Sequence, residues 1–239
     1  MGSPNNERTF GDRLARGRTM QGKIELFTPA FAPDDTSLTA ANFKTFLDSV
    51  EAKNGEVADA EGAEDDAIAL HKTLYEQIKT RTLRVVDTVS GNESWALYLP
   101  KVKENAAMVR NSRPPKREKP VPGAPEKPKR NTGQQSYGDI DRWFEKLIAS
   151  VKVIPGYTPA ASSNVQITQL ETLLDNYRGA SKDAVNKSAA ASKVRTERDT
   201  LYNAKTGSLR TKMKSIKSST GGQYGRTSAQ YAEVKSIAV

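Results

Sequence analysis

The stretch "KTFLDSV" at residues 44–50 returns as "ETLLDNY" at residues 171–177, and this repetition decides the fold that the sequence predicts. A shift of 127 positions aligns the two stretches, and the same shift holds without a gap over roughly thirty residues. Upstream, "FAP" at 31–33 matches "YTP" at 157–159 with a shift one residue shorter, as a loop of variable length allows. The sequence therefore predicts an internal duplication.

Each copy carries apolar side chains at alternating spacings of four and three residues, which is typical of one face of a long amphipathic helix. Thr36 or Ser37 is placed to cap the first of these helices, which is expected to end near Tyr75. Small residues such as Ala184 and Ala191 in the second copy favour a closely packed neighbouring helix. We name the packing face the helix seam, and its members are Phe43, Leu47, Val50, Leu170, Leu174, Tyr177 and Leu201.

Shorter helices are predicted after each long one. In the second copy we expect a turn at 206–207, a helix that stops at the two glycines at 221–222, and a last helix over 228–237. The first copy has counterparts over 83–91 and 95–108. A further amphipathic helix precedes the second long helix, and its apolar face comprises Trp143, Phe144, Leu147, Ile148 and Val151.

The two copies are separated by "RNSRPPKREKPVPGAPEKPKRNTGQQ" at 110–135. Proline breaks helices, and the interspersed Lys and Arg leave little apolar surface to bury, so this segment is predicted to be an extended, solvated linker. The sequence thus predicts an all-α protein with an N-terminal arm at 1–30, an acidic helical repeat at 31–109, the linker, and a basic unit at 136–239 that contains the second repeat.

Charge is divided unevenly between these parts, although the whole chain carries +9. Residues 31–109 carry 8 basic and 14 acidic groups, whereas residues 131–239 carry 16 basic and 9 acidic groups. Two similar shapes of opposite charge attract each other, either within one chain or between chains.

Composition restricts the chemistry and the compartment. Cysteine is absent, which excludes disulfides, cysteine-ligated zinc and a thiol nucleophile. The opening residues contain no apolar core of a secretory signal, and nowhere do eighteen apolar residues run together, so neither a Sec signal nor a membrane span is expected. We therefore expect a cytoplasmic location.

The strings "QQSYGDIDRWFEKLIASV", "PGYTP", "LYNAKTG" and "YGRTSAQYAEV" occur in this order over 134–239. In this respect the chain resembles a family of uncharacterised bacterial proteins that is common in Bacteroidetes. The resemblance covers the first half only through the duplication, and it implies no activity, cofactor or site residue for this chain.

Catalytic and metal-binding patterns are sparse. The single histidine, His71, lies on the face of the first long helix, where we expect it to pack rather than to ligate. Glu61 and Glu64 lie one turn apart and could bind a hard cation, but a solvated face or ion pairing with a basic helix is the favoured interpretation. "TGGQYG" lacks the Gly-Lys-Ser/Thr of a phosphate-binding loop. We expect neither an enzyme nor a bound cofactor.

The remaining candidate residues are charged and suit contacts with another macromolecule. We expect a structural protein that associates with copies of itself, into a filament or a layer, through its complementary helical units. The alternative is a nucleoid-type protein that binds nucleic acid through the basic half and the linker. The candidate contacts for either role are Lys205, Arg210, Lys212, Lys214, Lys217, Asp65 and Asp66.

Overall fold

The computed structural model describes residues 4–110 and 132–239, with side chains from residue 10 to 110 and from 139 to 239. These residues form helices joined by loops, so the all-α class is confirmed. The α-helices are α1 (Pro4–Glu25), α2 (Ala40–Ser90), α3 (Leu99–Arg110), α4 (Thr132–Lys152), α5 (Ile167–Asn203), α6 (Leu209–Tyr224) and α7 (Ala229–Lys235). Short 3-10 helices lie at Thr36–Leu38, Glu93–Trp95 and Ala161–Ser163.

The helix bounds repeat the register found in the sequence. Helix α2 begins at Ala40 and α5 at Ile167, 127 positions later. Helix α1 ends at Glu25 and α4 at Lys152, again 127 positions apart. The duplication therefore includes the helix before each long helix.

The segment expected to be an N-terminal arm forms α1 and the loop after it. Met20 and Ile24, which are one turn apart, are buried in the core. Gly17 is also buried, and a Cβ there would lie 2.7 Å from Leu47 Cδ2, so the glycine lets α1 approach α2 closely. Sequence reasoning missed this helix because arginines and glycines interrupt its apolar face.

The long helices start and end differently from the prediction. Thr39, not Thr36 or Ser37, caps α2, since its Oγ1 accepts a hydrogen bond from the amide of Asn42 at 3.4 Å. The expected break after Tyr75 is wrong, because α2 continues to Ser90 through a stretch without glycine or proline.

In the second repeat, α5 ends at Asn203, and Gly207 has the positive φ of 69° that the predicted turn requires. The predicted stop at the glycines at 221–222 is wrong, since α6 continues to Tyr224. Gly221 instead makes room for a neighbouring ring, because a Cβ there would lie 3.1 Å from Tyr231 Cε2.

The chain divides into two compact units. Unit 1 comprises Met1–Ala63 and Ser188–Val239, and unit 2 comprises Glu64–Lys187. Each unit thus combines the first part of one repeat's long helix with the last part of the other's. The predicted domains coincide with the repeats, whereas each compact unit contains residues of both repeats. The proposed linker lies largely outside the described residues, and α4 already begins at Thr132.

Each unit has its own apolar core. The largest side chains buried in unit 1 are Met20, Ile24, Phe43, Leu47, Tyr202 and Leu209. Those in unit 2 are Ile78, Ile140, Phe144, Leu147, Leu170 and Tyr177. The predicted apolar face of α4 is correct, with Phe144, Leu147, Ile148 and Val151 buried and Trp143 half-buried.

Candidate interaction surfaces

The helix seam belongs to the cores of the two units. Phe43, Leu47 and Val50 are buried in unit 1, and the members Leu170, Leu174 and Tyr177 are buried in unit 2. Leu201 is only half-buried, because the next residue, Tyr202, takes the buried position on α5. The Tyr202 hydroxyl accepts a hydrogen bond from Asn54 Nδ2 at 2.9 Å. The seam therefore packs within the chain and leaves little apolar surface for a partner.

Opposite charges of the two repeats meet inside unit 1. Lys53 Nζ of the first repeat lies 3.1 Å from Glu197 Oε2 of the second, and Arg195 Nε lies 2.7 Å from Glu61 Oε1. The ion-pairing interpretation is therefore correct for Glu61. Part of the attraction between the acidic and the basic repeat is satisfied within one chain.

His71 and Arg198 occupy equivalent positions in the two repeats, and both are buried, at 5% and 6% exposure. His71 stacks on Tyr177 with ring centroids 4.8 Å apart, and Arg198 lies 4.5 Å from the ring centre of Phe10. Burial lowers the pKa of His71, which favours the neutral ring. The predicted packing role of His71 agrees with this position.

The five basic candidate residues all lie in unit 1 but have different surroundings. Lys212 donates to Ser37 Oγ at 3.0 Å, and Lys217 donates to the backbone carbonyls of Lys235 and Ile237. Lys205, Arg210 and Lys214 are exposed, and none has a carboxylate within 4.0 Å among the described side chains. Lys212 and Lys217 are half-buried and have acceptors within unit 1, and their role as contacts with another macromolecule stays a prediction.

The acidic candidates Asp65 and Asp66 are exposed on the part of α2 that belongs to unit 2. Among the described residues, no group of three or more His, Asp and Glu side chains is placed to hold a metal ion. Within the same residues, no helix combines the length and apolarity needed to cross a membrane.

Three large apolar side chains that sequence reasoning missed are strongly exposed at loops and turns. Leu26, directly after α1, is 82% exposed, and its equivalent after α4, Val153, is 65% exposed. Leu97, in the turn before α3, is 84% exposed. Leu26 and Val153 are 127 positions apart, so the duplication register was the signal that could have identified this pair.

A side chain of the same unit hydrogen-bonds to a proline carbonyl in each of the loops that follow Leu26 and Val153. In unit 1, the hydroxyl of Tyr224 donates to the carbonyl of Pro29 at 2.6 Å, and the Tyr224 ring packs edge-on against Phe27. In unit 2, Trp95 Nε1 donates to the carbonyl of Pro155 at 3.2 Å. Val153 lies two residues before Pro155 and Leu97 two residues after Trp95, so both flank this hydrogen bond in the sequence. We name Leu26 the unit 1 apolar end, and Leu97 with Val153 the unit 2 apolar end.

Comparison with known proteins yields no match: no family model, no curated protein and no solved structure is similar to this chain at a significant level. The resemblance to the Bacteroidetes family therefore stays a prediction, and the functional argument depends on the geometry alone.

Proposed function

We propose that the protein is a non-enzymatic structural protein that associates with copies of itself through its apolar ends. The observation that carries the proposal is the pair Leu26 and Val153, which expose a large apolar side chain at the same position of both repeats. Both follow the last turn of a helix in loops that are fixed by hydrogen bonds. A large apolar side chain suits a contact surface better when its loop is fixed than when its loop is mobile, because binding then costs less conformational entropy.

Contact between the unit 1 apolar end of one copy and the unit 2 apolar end of another joins two different surfaces. Such a heterologous contact leaves one end of each kind unused, so it propagates into a filament or layer unless the geometry closes a ring. Burial of each Leu or Val side chain contributes about 1.5 to 3 kcal/mol, so several such side chains are needed for stable association.

In this proposal apolar contact, rather than attraction between charges, drives the association of copies. Because Lys53, Glu61, Arg195 and Glu197 pair within unit 1, the charges of the repeats are less available between copies. Association driven by apolar contact is maintained or strengthened as salt rises, whereas association driven by charge weakens.

The test uses two complementary variants of the full chain, Leu26→Asp and the double variant Leu97→Asp with Val153→Asp. Light scattering after size exclusion should show concentration-dependent assembly of the wild-type protein and none for either variant alone. Mixing the two variants leaves one intact end of each kind, so heterodimers should form and growth should stop there. Val185→Asp is the matched control, since Val185 is also exposed but lies on the side of α5. A wild-type protein that stays monomeric at high concentration would refute the proposal.

A second candidate function, nucleic-acid binding, is favoured by the exposed cations Lys205, Arg210 and Lys214. Arg210 and Lys214 are one turn apart on α6 and therefore share a face that can contact phosphates. A triple change of these residues to Gln should abolish DNA binding if this surface is used. Binding that disappears at about 0.2 M salt even in the wild-type protein would indicate weak, non-specific phosphate contacts.

A further inference from the structure

Two arginines on α2 lack the carboxylate partners that other arginines of the chain have. Arg81 and Arg84 are one turn apart in unit 2, and neither has a carboxylate within 4.0 Å among the described side chains. By contrast, Arg18, Arg178 and Arg195 each pair with at least one Asp or Glu. Positive charge is therefore concentrated at this place on α2.

The two guanidinium groups contact the first turn of α5 and the 3-10 helix before it. Arg81 Nη1 donates to the carbonyl of Gln169 at 3.0 Å, and Arg84 Nη1 makes a longer contact with the carbonyl of Ser163, at 3.5 Å. Each guanidinium has five N–H donors, so these bonds leave most of the donors available. Burial, and to a lesser extent the charge of Arg84, lower the pKa of Arg81.

A cleft of about 250 Å³ lies beside Arg81 at the start of α5. Amide and hydroxyl side chains line it, including Gln77, Asn164, Thr168 and Thr172. The first turn of α5 contains no acidic residue, so the partial positive charge of its N-terminus is not neutralised there.

Arg84 lines a second cleft of about 660 Å³, which shares Gln77, Arg81 and Asn164 with the first. Glu76 also lines this second cleft, but it pairs with Lys79 at 2.8 Å. The two clefts thus offer hydrogen-bond donors and positive charge together.

We propose that Arg81 and Arg84 form a binding site in unit 2 for an oxyanion group, a phosphate or a carboxylate, of a small molecule. Two guanidinium groups one helical turn apart can each donate two hydrogen bonds to such a group. The cleft is large enough for the anion with several waters, because one water occupies about 30 Å³ in the liquid.

Unit 1 provides an internal comparison for this site. The positions equivalent to Arg81 and Arg84 are Ser208 and Thr211, which hydrogen-bond to each other at the start of α6. Unit 1 therefore has no cation at these two positions, and its helix is interrupted there, since α5 ends at Asn203 and α6 begins at Leu209. The proposed site is a property of unit 2 alone.

The test is a titration of the full-length protein with sodium phosphate, and separately with sodium acetate, at constant ionic strength maintained with sodium chloride. Amide NMR signals of residues 164–172 should shift and saturate with at least one of the two anions. The anion that binds more tightly identifies the preferred oxyanion.

Arg84→Gln should weaken this binding by about tenfold, because a charge-assisted bidentate contact is lost. Arg84 is exposed and makes only one long hydrogen bond, so the variant should fold normally. Arg210→Gln in unit 1 makes the same change of charge and should leave the binding unchanged. Shifts that chloride reproduces, or equal binding by wild type and Arg84→Gln, would overturn the proposal.

Discussion

Units 1 and 2 place an ion pair at the same two positions but with the charges exchanged. In unit 1, Arg18 of α1 lies 2.6 Å from Glu51 of α2. In unit 2 the equivalent positions hold Glu145 of α4 and Arg178 of α5, whose charged groups lie 3.0 Å apart. The fold therefore fixes the position of the ion pair between the two helices, while either helix can carry the cation.

Side-chain size is exchanged in a similar way in the cores. Unit 1 has Gly17 on α1 and a buried Leu209 beside it, since a Cβ at Gly17 would lie 3.1 Å from Leu209 Cδ1. At the equivalent positions unit 2 has the large Phe144 and the small Thr82, both fully buried. The large and the small residue thus occupy reversed positions in the two repeats, as expected if the packed volume is kept similar.

The largest expected effect comes from separating the repeats, because each unit contains helices from both. A specific protease site inserted between residues 111 and 131 should be cleavable without separating the halves. The nicked protein should elute from size exclusion as one species and separate only in denaturant. Residues 132–239 expressed alone should lose cooperative unfolding, which corresponds to about 5 to 15 kcal/mol for an ordinary domain. Elution of two compact fragments in native buffer would show that the repeats fold independently.

The next effect concerns equivalent seam leucines. Leu47→Ala in unit 1 and Leu174→Ala in unit 2 should each lower the free energy of unfolding by about 2 to 5 kcal/mol, because both side chains are buried. Leu201→Ala should cost clearly less, since Leu201 is half-buried. Urea denaturation provides the measurement, with the exposed Lys182→Ala as the control. Equal small losses at Leu47 and Leu174 would contradict the bundle core.

The third test gives unit 1, at positions 17 and 209, the residues that unit 2 has at the equivalent positions. Gly17→Phe should destabilise unit 1 by about 1 to 3 kcal/mol or more, because the ring overlaps Leu47 and Leu209. The double variant Gly17→Phe with Leu209→Thr reproduces the residues of unit 2 and should cost less than the sum of the single changes. A double-mutant cycle in urea measures this coupling, and strictly additive losses would mean that the two positions do not share one space.

Reversal of the ion pair should have a smaller effect. Arg18→Glu places a third carboxylate beside Asp48 and Glu51, and it should cost about 0.2 to 1 kcal/mol because these groups are partly exposed. Adding Glu51→Arg should recover part of that loss, as the arrangement in unit 2 predicts. The coupling should shrink in 1 M salt, whereas a salt-independent coupling would point to packing instead.

The smallest effect is a pH dependence that only unit 2 has, since His71 corresponds to Arg198 in unit 1. Burial places the pKa of folded His71 below its ordinary value of 6.5. As the pH falls through 6.5, the unfolded chain binds a proton before the folded chain does, so the free energy of unfolding decreases. Urea titrations between pH 7.5 and 5 should show a steeper decrease for wild type than for His71→Phe, which retains an aromatic ring beside Tyr177. Parallel pH profiles would exclude His71 as the source.

The sequence predicted the helical class, the register of the duplication and most seam residues, because the heptad-like spacing of apolar side chains is a local signal. It missed α1, where Gly17 interrupts the apolar face for a packing reason that depends on Leu47 and Leu209, both distant in the sequence. It assigned Lys212 and Lys217 to the surface because the acceptors they find at Ser37, Lys235 and Ile237 depend on tertiary contacts. The Arg81 cleft was missed for the same reason, since its parts come from two helices.

The division of the repeats between the units also sets the order in which the protein can fold during synthesis. Unit 2, Glu64–Lys187, is one continuous stretch, and it is complete once Lys187 has left the ribosome. The first part of unit 1 is made before unit 2, but its partners for packing lie at 188–239 and are made after unit 2. Met20, Ile24, Phe43 and Leu47 therefore stay without part of their packing partners until all of unit 2 has been made, and a chaperone that binds this apolar segment would protect it from aggregation in that interval.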